Sequence, residues 1–364
     1  MPTDNILAPM EPKPEVAHGL RLWDIAKDDF GRLHQHIAPI DLAGQTLLLT
    51  GATGFFGAWL LALLKHLEAG GAPGLRVLAV SRDPQAFLAR HAWLGDAPWL
   101  QWIRGDIRDF NLRGQRVDAL LHAATETSAA AAQAPAILLD SIVAGTRHAL
   151  QCAAAGGARR ILLVSSGGVY GAQPAEMESI REDTNIAPST LSPRNAYGEG
   201  KRVLEMLGAI HAQQHGVDVS IARCFTFVGA GLPLDAHFAI GNFIRDALCR
   251  DGIAVAGDGR AVRSYLYAAD LAVWLLRLLV EAQGVRAYNV GSDRGVSIAE
   301  LAREVTRCLA PGHEVRIQGS SATSPVGNRY LPCIDRARDE LGLDVWTELG
   351  LAIERTAAWA RGVL

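Results

Sequence analysis

Lysine is scarce in this sequence. Of 35 basic residues only Lys13, Lys27, Lys65 and Lys201 are lysines, and the rest are arginines. Codon bias accounts for such a skew, but a lysine standing inside a chemically sensible motif gains weight from it. Cysteine is sparse too. Cys152, Cys224, Cys249, Cys308 and Cys333 lie far apart, are odd in number and form no Cys-x-x-Cys pair. That spacing excludes a disulfide framework and a zinc site, so no metal is expected, and it points to a reducing, cytoplasmic setting. Long apolar runs are missing. The best stretches, near Ala58–Leu64 and Leu271–Val280, are too short or broken by Arg277, whereas a span needs about 20 apolar residues; no membrane segment is expected. Met1 to Pro14 carries acids and prolines without a basic n-region and apolar h-region, unlike a signal peptide. A net charge of −3 is not that of a phosphate-backbone binder, and the eight scattered tryptophans form no stacking platform, so nucleic acid is not an expected partner.

What is present is apolar material for a large core. With 364 residues, 49% of them hydrophobic, the chain is globular, with two domains or one large α/β unit. Apolar positions between His18 and Ile37 recur at roughly helical spacing and predict one or two amphipathic helices in an N-terminal extension, residues 1–44. From Gln45 onwards, continuous apolar strands alternate with helices. Strands are expected at Thr46–Thr50, Arg76–Val80, Trp99–Arg104, Val117–Ala123, Arg160–Ser165 and Val217–Ala222, and helices at Phe55–Leu67, Ile137–Ala155 and Ala196–His215. Strands buried on both faces by crossover helices have this signature, so the fold class is α/β, a doubly wound parallel Rossmann sheet. After Phe227 the alternation loosens, with helices expected at Phe238–Arg250, Leu271–Glu281, Ile298–Leu309 and Val345–Ala360. The expected division is a dinucleotide domain over 45–227, with returns near 263–291, and a smaller, mixed C-terminal domain over 228–364.

Three motifs carry chemistry. In Leu47–Gly57 a strand meets a helix through Gly51, Thr53, Gly54, Phe55, Phe56 and Gly57, with glycines spaced G-x-x-G-x-x-G. Glycines there let a backbone approach a pyrophosphate, and the helix N-terminus offers N–H groups and the positive end of its dipole. The second strand ends in Ser81-Arg82-Asp83. An acid at the strand end suits a ribose 2′-OH, whereas an arginine suits a 2′-phosphate; Ser81 and Arg82 therefore favour NADP over NAD, with Asp83 still able to serve a ribose. Asp106 and Ile107 after the third strand are adenine-side candidates, although an aspartate there also suits a turn. In Tyr197-Gly198-Glu199-Gly200-Lys201, Tyr and Lys four apart share one helix face. A nearby ammonium is expected to lower the phenol pKa and make Tyr197 a usable acid–base group. Ser166, at the end of the strand preceding Gly167-Gly168-Val169-Tyr170-Gly171, completes a Ser–Tyr–Lys set.

With these motifs in hand, the chain resembles the extended short-chain dehydrogenase/reductase family, in its NAD(P)-dependent nucleotide-sugar epimerase/dehydratase branch. The resemblance runs from about Ala43 to the C-terminus, through GATGFFG, DALLHAA (Asp118–Ala124), SSGGVYG, YGEGK, GDGRAVRSYLYAADLA (Gly257–Ala272) and Tyr288-Asn289-Val290-Gly291. It implies a nicotinamide cofactor near Ala123, Ala124 and Thr125, and a nucleotide-diphosphate sugar on the C-terminal domain. Tyr197 would take the sugar 4-OH proton, Lys201 would bind the nicotinamide ribose, and Ser166 would hold the reacting oxygen. Arg263 falls at the diphosphate-binding arginine, and Glu126, Gly167 and Thr226 line the substrate side. A homodimer through the helices Ile137–Ala155 and Ala196–His215 is implied, as is a role in surface polysaccharide or glycosylated natural-product synthesis.

Two departures bear on the reaction. Where dehydratases of the family place Asp-Glu after the catalytic Ser/Thr, and decarboxylases a glutamate, this chain has Gly167-Gly168. Where the family has an Arg-x-x-Asn pattern, this chain has Thr226 after Arg223. The expected activity is therefore 4-epimerisation of an NDP-sugar through a transient 4-keto intermediate. The alternatives are a 4,6-dehydratase using a spare acid such as Glu126, an NADPH-dependent 4-keto-sugar reductase, and, remotely, a non-catalytic dinucleotide-binding regulator. Cys224 is expected to pack, with a substrate-side thiol as the alternative, and His122 to pack or hydrogen-bond near the cofactor.

Overall fold

The computed structural model describes residues 20–70, 72–125, 133–236, 238–319 and 328–364. Glu126 and most of the Ser128–Pro135 stretch lie outside these residues, as does the proline-rich start of the extension.

Seven parallel strands make the main sheet: β1 (Thr46–Thr50), β2 (Arg76–Ser81), β3 (Leu100–Arg104), β4 (Ala119–His122), β5 (Arg160–Ser166), β6 (Asp218–Cys224) and β7 (Val285–Val290). Their spatial order is β7-β6-β5-β4-β1-β2-β3. Every residue of β1 and β4 is buried, as apolar strands covered on both faces require. The chain builds outwards from β1 to β3, then starts again at β4 on the other side of β1. The crevice above the carboxyl ends of β1 and β4 is therefore the switch point, where α/β sheets bind their ligands.

The helices fall in chain order as α1 (Leu22–Arg32), α2 (His34–Ile37), α3 (Phe55–Gly70), α4 (Pro84–Arg90), α5 (Pro135–Gly156) and α6 (Ala196–His215). The extension thus holds two helices, separated near Leu33. Helix α1 docks by its apolar side, where Leu22, Ile25, Ala26 and Phe30 are buried. Phe30 meets Trp59 of α3 edge-on at 6.2 Å. Asp29 is wholly buried; it accepts a 2.6 Å hydrogen bond from Tyr267 Oη and pairs with Arg32 and Arg355. Leu20 N donates to Ala358 O at 3.0 Å, and His36 stacks on Trp346 at 4.1 Å. The extension therefore touches both the first helix of the sheet and the last helix of the chain.

Smaller sheets follow β6, formed by Phe227–Val228 with Leu266–Tyr267, by Val262–Arg263 with Val296–Ser297 and Arg329–Tyr330, and by Gly252–Val255 with Glu314–Ile317. The chain then returns to the main sheet through β7, which pairs with β6 along Val285–Val290. Two expected helix starts were off by more than two residues. The last helix starts at Leu349 rather than Val345. The buried Asp270 carboxylate accepts from Trp346 N, Thr347 N and Thr347 Oγ1 at 3.0, 2.8 and 2.7 Å. Those bonds hold the residues before the helix in a loop that a helical pattern does not reveal. The helix expected from Leu271 begins at Ala268, with Asp270 in its first turn.

Candidate active site

The glycine loop after β1 is shaped by close approach. Gly51 has φ +73°, and a Cβ there would come within 2.6 Å of the Ala123 carbonyl and 2.7 Å of Ala124 N. A Cβ on Gly57 would overlap the carbonyls of Gly51 and Ala52. These two glycines let the loop lie against the end of β4 and let α3 begin directly above it, leaving first-turn N–H groups facing the crevice. A cradle that any side chain would fill is what a dinucleotide pyrophosphate needs, so the residues fit the cofactor.

The ends of β2 and β3 supply the next side chains. Ser81 is buried, and its Oγ lies 3.4 Å from Thr53 Oγ1, so two residues from separate motifs meet. Asp83 is already employed. Its carboxylate accepts from Ala86 N at 3.1 Å as the N-cap of α4. Asp106 accepts from Arg108 N at 3.0 Å and Arg108 Nε at 2.7 Å, and those bonds hold its carboxyl below the usual range. Ile107 packs against the position of Gly145 on α5.

Beneath the crevice, His122 bridges Thr50 Oγ1 at 2.8 Å and Thr146 Oγ1 at 3.2 Å. Burial, with Lys201 nearby, pushes it down to about 3, so it is a neutral structural link between β1, β4 and α5. Cys224 is buried at the end of β6, and burial pushes its thiol up to about 12; it packs as an inert group.

Ser166, Tyr197 and Lys201 converge at the end of β5. Ser166 caps the short 3-10 turn Gly167–Tyr170, its Oγ accepting from Gly168 N at 3.0 Å. Tyr197 lays its ring beside the Ser166 turn, 3.6 Å from where a Cβ on Gly168 would stand. Lys201 is buried and donates to Thr125 Oγ1 and to Val164 O, both at 2.7 Å. The glycines between Tyr197 and Lys201 make this possible. A Cβ on Gly198 would sit 2.6 Å from Gly168 O, and one on Gly200 would sit 3.0 Å from Ile142 on α5. Helix α6 can thus close on the Ser166 turn and on α5 at once.

The electrostatics correct one expectation. Lys201 was expected to lower the Tyr197 phenol, but burial dominates and raises it; the nearby Ser166 hydroxyl pulls it back, and the neighbouring Cys224 adds to the rise. The Lys201 ammonium lies 5.9 Å from the Tyr197 ring centre and is aimed at Thr125 and Val164. Burial draws Lys201 itself down to about 8.

On the substrate side, Thr226 donates to Ser264 O. Arg263 donates to Val262 O and Asn328 O, both at 2.8 Å. Sequence reasoning missed two groups here. Tyr330, on a two-residue strand distant in the chain, sets its hydroxyl against Gly167. A buried network also stands behind the serine. Glu205 accepts from Ser165 Oγ at 2.6 Å and pairs with Arg223 at 2.7 Å. Arg223 donates to Tyr170 Oη at 2.8 Å, and Tyr170 donates to Asn289 Oδ1 at 2.8 Å. Arg223, Tyr170 and Asn289 stood in sequence motifs, but nothing in their spacing joined them into one network.

Residues 47–291 match the description "NAD dependent epimerase/dehydratase family". The chain belongs to that family. It is 29% identical over 301 residues to UDP-glucuronic acid decarboxylase 6 of Arabidopsis thaliana, covering 82% of this chain and 84% of that one. It is 30% identical over 333 residues to a dTDP-4-dehydro-6-deoxy-D-allose reductase of Streptomyces bikiniensis, covering 88% and 97%. Among solved structures, the dTDP-glucose 4,6-dehydratase of Streptomyces venezuelae with NAD bound superposes with a TM-score of 0.73 at 26% identity, covering 87% and 97%. The UDP-glucose 4-epimerase of Thermotoga maritima shares the fold, with a TM-score of 0.72 at 20% identity over 87% and 99%. This member of the NAD-dependent epimerase/dehydratase family thus has relatives with several chemistries. Among the described residues no helix is long and apolar enough to cross a membrane.

Proposed function

We propose that the protein is an NDP-sugar 4-epimerase. The observation that carries this reading is the pair Gly167-Gly168 beside Ser166, with the space at Gly167 taken by Tyr330 and Phe225. The position after the serine therefore offers no carboxylate for elimination or decarboxylation, whereas Ser166, Tyr197 and Lys201 suffice for oxidising and re-reducing one alcohol. Bound NAD(P) would take a hydride from C4 and give it back. Tyr197 takes the proton from the sugar 4-OH, holds it during the 4-keto stage, and returns it to the same oxygen. Ser166 keeps that oxygen placed. Lys201, fixed on Thr125 and Val164, sets one positive charge beneath the site. Arg263 is assigned to the substrate diphosphate, with Thr226 beside it. Residues 45–227 are assigned to the cofactor and 228–364 to the sugar nucleotide.

A second reading, an NADPH-dependent 4-keto-sugar reductase, is supported by the S. bikiniensis relative and by Ser81 and Arg82. With Asp83 committed to capping α4, these residues favour NADP over NAD. We also assign a homodimer to the face of α5 and α6, where Ile137, Val203, Met206 and Ile210 are exposed at positions that a second copy would cover.

The test is cofactor analysis of the purified protein, followed by a screen of UDP-, GDP-, CDP- and dTDP-sugars with NMR of the products. Retained oxidised cofactor and a C4 epimer are expected, with Tyr197→Phe losing at least about 100-fold in rate. Stoichiometric NADPH consumption would favour the reductase. A 4-keto-6-deoxy product, or carbon dioxide from a UDP-uronic acid, would refute both readings.

A further inference from the structure

Ser166 opens a turn whose next two residues, Gly167 and Gly168, have no side chains to hold it. The anchors therefore lie at the two ends of the turn, in Ser165 and Tyr170. Both are buried, and one ion pair holds them both. Glu205 Oε1 accepts from Ser165 Oγ at 2.6 Å. The same carboxylate takes the Arg223 fork, from Nε at 3.0 Å and Nη2 at 2.7 Å. The remaining arm, Arg223 Nη1, donates to Tyr170 Oη at 2.8 Å and to Glu182 O at 3.0 Å. A guanidinium has no acceptor, so the Tyr170 proton goes to Asn289 Oδ1, at 2.8 Å. Asn289 is itself fixed, donating to Ile180 O at 2.8 Å and to Cys333 O at 3.1 Å. The run of bonds passes from α6 through β6 to β7 and takes in both sides of the serine.

We propose that Glu205 and Arg223 are positioning residues for Ser166, clamping the end of β5 through Ser165 and the far end of the turn through Tyr170. It rests on the reading of Ser166 and Tyr197 as the groups around the reacting sugar oxygen. Tyr197 and Glu205 lie on the same helix, and Lys201 between them donates to Val164 O at 2.7 Å. Helix α6 thus grips consecutive residues of β5, Val164 by Lys201 and Ser165 by Glu205, and fixes the tyrosine in register with the serine. The serine hydroxyl stays usable. Gly168 N–H takes one of its acceptor sites, and a hydroxyl still has its proton and a second site to offer the sugar oxygen. The side chains of Arg223 and Glu205 are only 16% and 13% exposed. An ion pair so far from water gains little stability over apolar residues of the same volume, whereas a bidentate fork fixes direction as well as distance. Geometry is what the pair supplies here, and a displacement of about 1 Å at a reacting centre lowers a rate by about 100-fold.

Two measurements on the full chain test this. The first is kcat and KM for the converted sugar nucleotide. Ser165→Ala and Tyr170→Phe each cut one arm of the clamp and should lower kcat by about three- to tenfold, the worth of one hydrogen bond, with KM within about twofold. Glu205→Leu combined with Arg223→Met removes both charges together. It should melt within about 5 °C of wild type and lose at least about tenfold in kcat. Unchanged kcat, or a loss confined to KM, overturns the proposal; if the double variant melts far lower, the single variants decide alone. The second measurement is amide hydrogen exchange without substrate. In Ser165→Ala the amides of residues 166–170 should exchange at least about fivefold faster, with those of β1 and β2 unchanged. No change, or the same acceleration across the whole sheet, overturns the clamp. If the wild type converts no sugar nucleotide, the function proposed above fails, while the exchange measurement still decides whether the pair holds the turn.

Discussion

Replacing Lys201 with methionine should make the protein more stable at neutral pH while abolishing its activity. Lys201 is buried and its pKa is drawn from 10.5 to about 8. At about 1.4 kcal/mol per pH unit, keeping the ammonium charged inside the fold costs about 3 kcal/mol. Methionine removes that cost but strips the donors from Thr125 Oγ1 and Val164 O, a loss of about 1 kcal/mol each. The net expectation at pH 7 is a gain of about 1 kcal/mol. The sign then changes with pH. Between about 8 and 10.5 the unfolded chain binds more protons at this site than the folded one, so wild type gains stability as pH rises through that window. Above it the penalty is gone and only the lost hydrogen bonds remain, so the variant should be the weaker by about 2 kcal/mol. Urea unfolding of cofactor-free wild type and Lys201→Met at pH 7, 9 and 10.5 would measure the difference, with other alkaline titrations common to both. A pH-independent difference, or a variant already weaker at pH 7, would refute the assignment of Lys201 as a strained cation held for chemistry.

Three further outcomes are expected. Asp29→Ala should cost about 3 kcal/mol in urea unfolding, because it leaves Arg32, Arg355 and Tyr267 facing an empty buried site. Gly57→Ala should weaken NAD(P) binding by at least about tenfold in calorimetry, since its methyl overlaps the Gly51 and Ala52 carbonyls and displaces the loop from the crevice. Ser81→Asp should shift preference from NADP towards NAD by about tenfold in a competitive binding assay, because a carboxylate there accepts from a ribose but repels a 2′-phosphate; unchanged preference would remove the NADP reading.

Elements with a local signature were legible from the sequence. The strands β1 to β6 read as continuous apolar runs, and α6 was placed residue for residue because its periodicity is unbroken. The Gly51–Gly57 loop and the Ser166–Tyr197–Lys201 set were legible because their spacing is itself the chemistry. What failed was non-local. The start of the last helix is fixed by Asp270, 76 residues away from Trp346. Tyr330 has no neighbour in sequence that announces it, and its seat is an absent side chain at Gly167. The reversed sign of the Tyr197 shift came from depth of burial, which spacing along a helix does not encode.

The docking of α1 also sets an order of events in synthesis. Asp29 hydrogen-bonds a tyrosine made 238 residues later and pairs with Arg355, close to the segment that receives Leu20. A ribosome delivering this chain exposes α1 long before its partners exist. Its apolar side must wait on α3 or in solvent until the last helix emerges, since contacts so far apart in sequence close slowly. Nascent chains halted short of Arg355 should therefore lose the extension to protease first, while the α/β layers already built resist.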